Sequence, residues 1–400
     1  MISVRLWFLS FNLLLFCSSC GALLTGSREP DTVRRLLVIL DLERGNYTLK
    51  GRIVLFSVDD EPEGVGFLPL ANQPPSGPII APGVKPLGLQ SDPNGSGFYL
   101  GEPNRVVLYS INIPALKPAE EPSFVKSEEI LVPADTDGSA CVLKNFRVTA
   151  NATLLLGLIQ CGNNTDPSRE RLWVYSLSGR RTLGLVFNPD NTQFIRSAGV
   201  QENNLAVVPG AFPYAASSNR LTFTTQVPGN SQQSRMYTLD LVRSPLVFPS
   251  GYQPKTTEAV YALDTESSLI TAATLDGVKR VNDLGDLGDS LLSTGATRIW
   301  STQGNALTAA AFWSDRDTLN NTRDLYFRTN VVNKLTNVPD MRDLVFAPSL
   351  GLSFHLEASN LVQTDLRDLS VIRAPRTFSQ SYSSLVLENP QALAWVIATR

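Results

Sequence analysis

Histidine is almost missing from this chain: His355 is the single one in 400 residues. That scarcity excludes any site built from two or more histidines of one chain, which covers most catalytic zinc centres. A serine–histidine triad would have to use His355. That residue lies in Leu352-Ser353-Phe354-His355-Leu356, which reads as an inner strand, so a packed strand position is preferred to a catalytic base. Excess charge of either sign is also missing, since 34 Lys and Arg against 37 Asp and Glu leave a formal charge of −3. No basic footprint for nucleic acid or an anionic lipid surface results. Beyond the N-terminus no apolar run approaches transmembrane length. Glycine-rich phosphate loops and a Gly-x-Ser-x-Gly nucleophile elbow are likewise absent.

What is present suits a globular all-β chain. Hydrophobic residues make up 43% and charged residues 18% of the sequence, outside the disordered range. The 26 prolines and 27 glycines recur along the whole length, as expected of many short strands joined by turns.

The N-terminus reads as an address. Leu6 to Phe16 is a short apolar run behind Arg5, of signal-peptide length and too short to span a bilayer comfortably. Cys17-Ser18-Ser19-Cys20-Gly21 follows and resembles the lipobox of bacterial lipoproteins, departing from it at Cys17, where leucine is preferred. By that resemblance Cys20 carries the lipid, and residues 1–20 are the signal peptide. Conventional cleavage near Ala22 is the alternative. Gly21 in place of a retention aspartate points to the outer membrane in a cell with two membranes. Asn46, Asn151, Asn163 and Asn320 form Asn-x-Thr sequons that read as turn asparagines.

Cys141 and Cys161 are the remaining cysteines, placed symmetrically about Asn151 in a strand–turn–strand pattern. An antiparallel hairpin would oppose them, so a disulfide fitting an exported chain is favoured over two buried free thiols.

A recurring apolar strand, often led by arginine, organises everything downstream. Its copies are Arg35–Leu42, Arg105–Ile111, Arg171–Leu177 and Arg235–Leu241, with weaker ones at Val278–Leu284, Asp324–Thr329 and Asn360–Leu366. Hairpin patterns precede most copies, at Pro86–Leu100, Ala259–Ala273, Arg298–Phe312 and Asp343–His355. The spacing suits four-stranded blades whose third strand is the recurring one. The ends look complementary. Arg34–Leu42 and Tyr47–Phe56 resemble third and fourth strands, while Leu385–Leu387 and Ala392–Ala398 resemble an inner pair. Joined, they complete a blade and remove the exposed edges of an open ring. The expected fold is therefore a seven-bladed β-propeller over residues 34–400, after a linker at 21–33, with residues 34–58 and 381–400 sharing the closing blade.

Pro86-Leu87-Gly88-Leu89, Asp92-Pro93-Asn94-Gly95, Phe98-Tyr99-Leu100 and Arg105–Ile111 together resemble one repeat of the lactonase-like and related seven-bladed propellers. The resemblance implies a fold and leaves activity open. A calcium-dependent enzyme of that type would polarise a carbonyl or activate water through channel-face carboxylates. The acids in those loops are Asp135, Asp137, Asp166, Asp276, Asp315, Asp317 and Glu357, of which Asp135, Asp137, Asp315 and Asp317 are the candidate metal ligands. Aspartates also populate turns for purely local reasons, and that reading is preferred. Asp283–Asp289 reads as tight turns around a short outer strand. Trp173, Trp313 and Trp395 read as core, with Trp313 beside Ser314-Asp315 also suited to the channel mouth. Two segments, Asp59–Gly83 and Pro209–Asn219 with Phe212 and Tyr214, read as insertions suited to partner binding. The expectation is a cell-envelope lipoprotein that binds a protein or small molecule without catalysis or cofactor, with the metal-dependent hydrolase as the alternative.

Overall fold

A computed structural model describes residues 33–399, apart from 45–48, 62–63, 70–84, 113–122, 199–206, 218, 267–268, 303–308, 318–321, 330–331, 336–337, 339–340, 358–359, 367–375 and 378–388. The described strands make seven four-stranded antiparallel sheets. Sheet 1 contains β1 (Val33–Arg44), β2 (Leu49–Glu61), β3 (Gly64–Pro69) and the last strand, β28 (Pro390–Thr399), in the order β28-β1-β2-β3. Sheet 2 is β4 (Gly88–Ser91), β5 (Gly97–Glu102), β6 (Arg105–Asn112) and β7 (Ser123–Leu131). Sheet 3 is β8 (Cys141–Val148), β9 (Leu154–Cys161), β10 (Glu170–Ser176) and β11 (Arg181–Phe187). Sheet 4 is β12 (Tyr214–Ala216), β13 (Arg220–Val227), β14 (Asn230–Asp240) and β15 (Lys255–Glu258). Sheet 5 is β16 (Val260–Glu266), β17 (Leu269–Thr274), β18 (Val278–Val281) and β19 (Leu287–Leu292). Sheet 6 is β20 (Arg298–Thr302), β21 (Ala309–Asp317), β22 (Thr322–Arg328) and β23 (Val332–Leu335). Sheet 7 is β24 (Met341–Ala347), β25 (Leu352–Glu357), β26 (Asn360–Asp365) and β27 (Arg376–Thr377).

Each sheet stacks on the next through its own apolar cluster, and the alternation of side chains along a strand is what allows it. Leu36, Val38 and Leu40 of β1 pack with Phe98, Leu100 and Val107 of sheet 2. The intervening Leu37 and Ile39 pack with Leu352, Phe354 and Leu356 of sheet 7. Sheet 1 is thus wedged between the second sheet and the last. Comparable clusters join sheets 2 and 3, 3 and 4, 4 and 5, 5 and 6, and 6 and 7. The molecule is a β-propeller.

A strand covered on both faces needs no polar side, so second strands read as continuous apolar runs. Every residue of β9 is buried. The outermost strand of the same sheet, β11, is largely exposed. The recurring strand occupies the third position in sheets 2–7, in β6, β10, β14, β18, β22 and β26.

Sheet 1 departs from the expected closure. Among the described residues Arg35–Leu42 is its second strand, where a third was expected, with one C-terminal strand paired beside it. β28 pairs with β1 from Val33↔Thr399 to Asp41↔Pro390. β2 and β3 fill the third and fourth places, so Asp59–Glu61 and Gly64–Pro69 are strand where an insertion was expected. Leu385–Leu387, which supplied the other half of the expected pair, lies outside the described residues, as do residues 70–84 and the N-terminal segment with Cys20. Pro209–Asn219 is likewise no free insertion. It carries β12, the inner strand of sheet 4, with Tyr214 completely buried. A three-residue strand of Tyr-Ala-Ala behind a proline has too little length to show a period, which is why the pattern reads as irregular.

Inner strands run from an entry end, where the connection from the previous sheet arrives, to an exit end, where the turn to the second strand lies. Antiparallel succession then puts the turns between third and fourth strands at the exit end as well.

Candidate functional site

The inner strands β28, β4, β8, β12, β16, β20 and β24 surround a central cavity of about 580 Å³. An inner strand has a free edge facing this space, and unpaired backbone groups there are costly when water is displaced. Side chains from neighbouring sheets meet many of them. Gln90 of β4 donates from Nε2 to Phe146 O at 3.1 Å and accepts from Val148 N at 2.7 Å, lacing sheet 2 to sheet 3. Ser91 Oγ accepts from Trp395 N at 2.8 Å, tying sheet 2 to β28. Thr265 Oγ1 donates to Ala216 O at 2.9 Å, between sheets 5 and 4.

Two charged groups extend this lacing. Arg147 of β8 reaches past sheet 4, donating from Nη1 to Tyr214 O at 3.2 Å and to Leu263 O at 2.7 Å. Its Nη2 pairs with Asp264 Oδ1 of β16, and its guanidinium lies 4.9 Å from the Phe212 ring centre. One side chain therefore touches three sheets. On the other side, Asp343 of β24 accepts from Trp300 Nε1 at 3.0 Å and from Leu344 N at 2.8 Å on Oδ1, and from Leu393 N at 2.8 Å on Oδ2. Burial pushes the Asp343 carboxyl up to about 7, against the pull of these N–H groups and Arg298. Asn145 donates to Val207 O at 3.3 Å and accepts from the Tyr214 hydroxyl at 2.8 Å.

The result is a wall whose charged groups and amides are already engaged. The rest of the lining mixes apolar and aromatic side chains, among them Leu89, Phe146, Phe212, Ile299 and Trp300, with the polar Asp92, Asn94, Ser301, Thr302 and Ser349. Gly210 explains part of the shape: its φ is +80°, and a Cβ there would meet the Trp300 ring at 2.5 Å. Only glycine fits that combination.

Of the candidate metal ligands, Asp135 and Asp137 have arginine partners. Asp135 precedes β8 and is buried against Arg171 at 2.9 Å, with Arg169 at 3.5 Å. Asp137 pairs with Arg169 at 2.5 Å, which holds its carboxyl well below the usual range. Asp315 and Asp317 lie on β21 of sheet 6, with Asp317 in register with Thr322. Asp166 caps the turn at Pro167–Arg169 through Ser168. Glu357 is buried with its Oε1 3.4 Å from His355 Nε2. Asp276 N donates to Glu258, which pairs with Lys279. Among the described residues no three His, Cys, Asp or Glu side chains form a group able to hold a metal ion.

Other expected residues take structural places. Cys141 and Cys161 are bonded, and they sit opposite each other in register. His355 is a buried strand residue. Trp173, Trp313 and Trp395 are core, Trp313 packing on the second strand of sheet 6. Asn151 and Asn163 each accept from the threonine two residues on, as turn asparagines do. The channel residues Gln90, Arg147, Asp264, Trp300 and Asp343 drew no functional reading from sequence. A signal existed: each is a polar or aromatic-polar residue within the first strand of a recurring hairpin, where apolar residues dominate.

Fold and site define an all-β propeller with a laced central channel. No protein-family model and no curated protein sequence matches the chain. Solved structures do share its fold. The periplasmic gluconolactonase PpgL of Pseudomonas aeruginosa aligns over 91% of this chain and 99% of its own, with a TM-score of 0.52 at 11% identity. A functionally unknown protein from Desulfotomaculum acetoxidans covers 90% of this chain and 98% of its own, at TM-score 0.49 and 9% identity. Apo AztD from Citrobacter koseri covers 92% and 99%, at TM-score 0.46 and 11% identity. At such identities the likeness concerns fold.

Proposed function

We propose that this chain is a seven-bladed binding propeller, held at the cell envelope by a lipid on Cys20, whose channel takes a small, largely uncharged ligand without transforming it. The observation that carries this reading is the engaged state of the channel wall. Arg147, Asp264 and Asp343 already satisfy one another, Trp300 or the backbone, so the room left is bordered by aromatic and aliphatic surface with a few uncharged polar groups such as Asn94, Ser301, Thr302 and Ser349. A ligand that fills such a space gains by burying its own apolar area and needs only a few polar contacts. No helix among the described residues is long and apolar enough to cross a membrane. A periplasmic protein of the same fold gives the exported address a precedent without proving it.

Two measurements test the reading. Cell fractionation should place the chain with membranes, extractable by detergent and not by salt, with Cys20→Ala released to the soluble fraction. A thermal-shift screen of small neutral organic molecules should give hits that are lost in Trp300→Ala, whose indole borders the channel. The hydrolase alternative makes the opposite forecast. If calcium raises the melting temperature of the unmodified chain, and replacing Asp135, Asp137, Asp315 and Asp317 by asparagine abolishes that rise, the binding reading gives way to the metal-dependent one.

A further inference from the structure

The two ends of the propeller leave from one place. β28 is the inner strand of sheet 1, so Thr399 lies at the exit end, and Val33 is paired with it. Ile397 N donates to Gly95 O, in the exit-end turn between β4 and β5, which fixes the same location independently. Residues 21–32 are all that separates the proposed lipid on Cys20 from β1, a reach of about 40 Å at most. A tether that short favours the end of the ring from which it emerges.

That end also carries the most exposed aliphatic side chains of the described residues. Val242 is 75% and Leu284 71% exposed, at the tips of the exit-end turns of sheets 4 and 5, and Val247 is 50% exposed on the same connection as Val242. Their exposure is not looseness of the loops. Leu246 is buried in the interface of sheets 3 and 4, and Phe248 packs edge-on against Tyr237 and Phe223 and tilted against Tyr252, so the connection is packed down with Val242 and Val247 left outward. The surrounding charges cancel in pairs: Arg243 with Asp240, Arg220 with Asp283, and Lys255 with Asp286. The last two pairs join the turns of sheets 4 and 5 into one surface. The entry end has its own exposed residue, Leu131 at 65%, so exposure alone does not choose an end. The chain termini do.

We infer that the exit end of the ring lies against the lipid bilayer, with Val242, Val247 and Leu284 at the contact. This rests on the lipid anchor at Cys20. The charges beside these three side chains are paired, so the contact at Val242, Val247 and Leu284 is apolar and depends little on salt.

The test uses full-length acylated protein in phosphatidylcholine vesicles containing a nitroxide-bearing lipid. A fluorophore is placed on Leu284→Cys or on Leu131→Cys; Cys141 and Cys161 are bonded and do not react. Position 284 is expected to be quenched several-fold more than 131, at low and high salt alike, and Val242→Asp with Val247→Asp should weaken that difference at an unchanged melting temperature. Equal quenching, or more at 131, in protein that still sediments with vesicles would overturn the orientation and leave the anchor standing. Failure of the unmodified chain to sediment would overturn both. Shielding of 284 from aqueous iodide without lipid quenching, together with a dimer broken by Val242→Asp, would show a second copy on this face and overturn the lipid contact.

Discussion

Arg147 is nearly buried, and its counter-charge lies two sheets away on Asp264. Removing that partner strands a charge in a place water barely reaches. Asp264→Ala is therefore expected to cost about 3–5 kcal/mol in urea denaturation. The double replacement Arg147→Met with Asp264→Leu should recover most of it, because the pair is costly to desolvate in the first place. Two isolated carboxyls set the pH response. Burial pushes Glu170 up to about 8 from 4.5, against the pull of Ile195 N, Lys144 and Arg196, as it pushes Asp343 up to about 7 from 3.8. Between the lower and upper values the unfolded chain has released a proton that the folded one keeps, so stability falls as pH rises from roughly 4 to 8 and then levels. Glu170→Gln and Asp343→Asn should each flatten their part of that slope, worth on the order of 4–5 kcal/mol apiece. A slope that persists unchanged in both variants would show that these groups ionise normally. At Gly210, alanine is expected to cost roughly 2–3 kcal/mol from the left-handed backbone and the Trp300 contact combined.

At the scale of elements, the hairpin β8–β9 was legible because its ends carry the same residue type at equal distance from a turn asparagine. The bond between Cys141 and Cys161 closes a separation of 20 residues. Reduction, or Cys141→Ala with Cys161→Ala, should lower stability by about 3 kcal/mol, read as a shift in the urea midpoint with and without reductant. The recurring strand was legible for a different reason. A third strand carries a short run of buried apolar residues soon after a turn, so six copies fell in place from the sequence pattern. The first copy misled because a sheet assembled from both ends of the chain shifts every strand by one position, and nothing within Arg35–Leu42 records that shift. β12 escaped notice because three residues carry no period, and its partners, Asn145 and Thr265, come from other sheets.

For the molecule as a whole, closure depends on β28. It supplies the inner strand of sheet 1, the Trp395 that stacks on Phe354 at 5.7 Å, and the Leu393 N–H that Asp343 accepts. Deleting residues 389–400 opens the ring at sheet 1 and exposes the free edge of β1. The truncated chain should lose its single sharp calorimetric transition and associate through that edge. A peptide of residues 389–400 added in trans should restore the transition in proportion to its concentration. A truncated chain that melts as the full one does would show that closure contributes little.

The amino-acid order by itself determined the repeated hairpins, the apolar third strands, the paired cysteines and the resemblance of the N-terminus to an export signal. Those are properties of neighbours along the chain, set by side-chain period and turn chemistry. The channel is of another kind. Arg147, Asp264, Trp300 and Asp343 come from four hairpins spread over residues 147–343, and each looks unremarkable in its own segment. Only the ring brings them to one wall, since their partners are backbone groups of other sheets, and it alone decides that Asp135 and Asp137 answer to arginines and that both chain ends leave the same face.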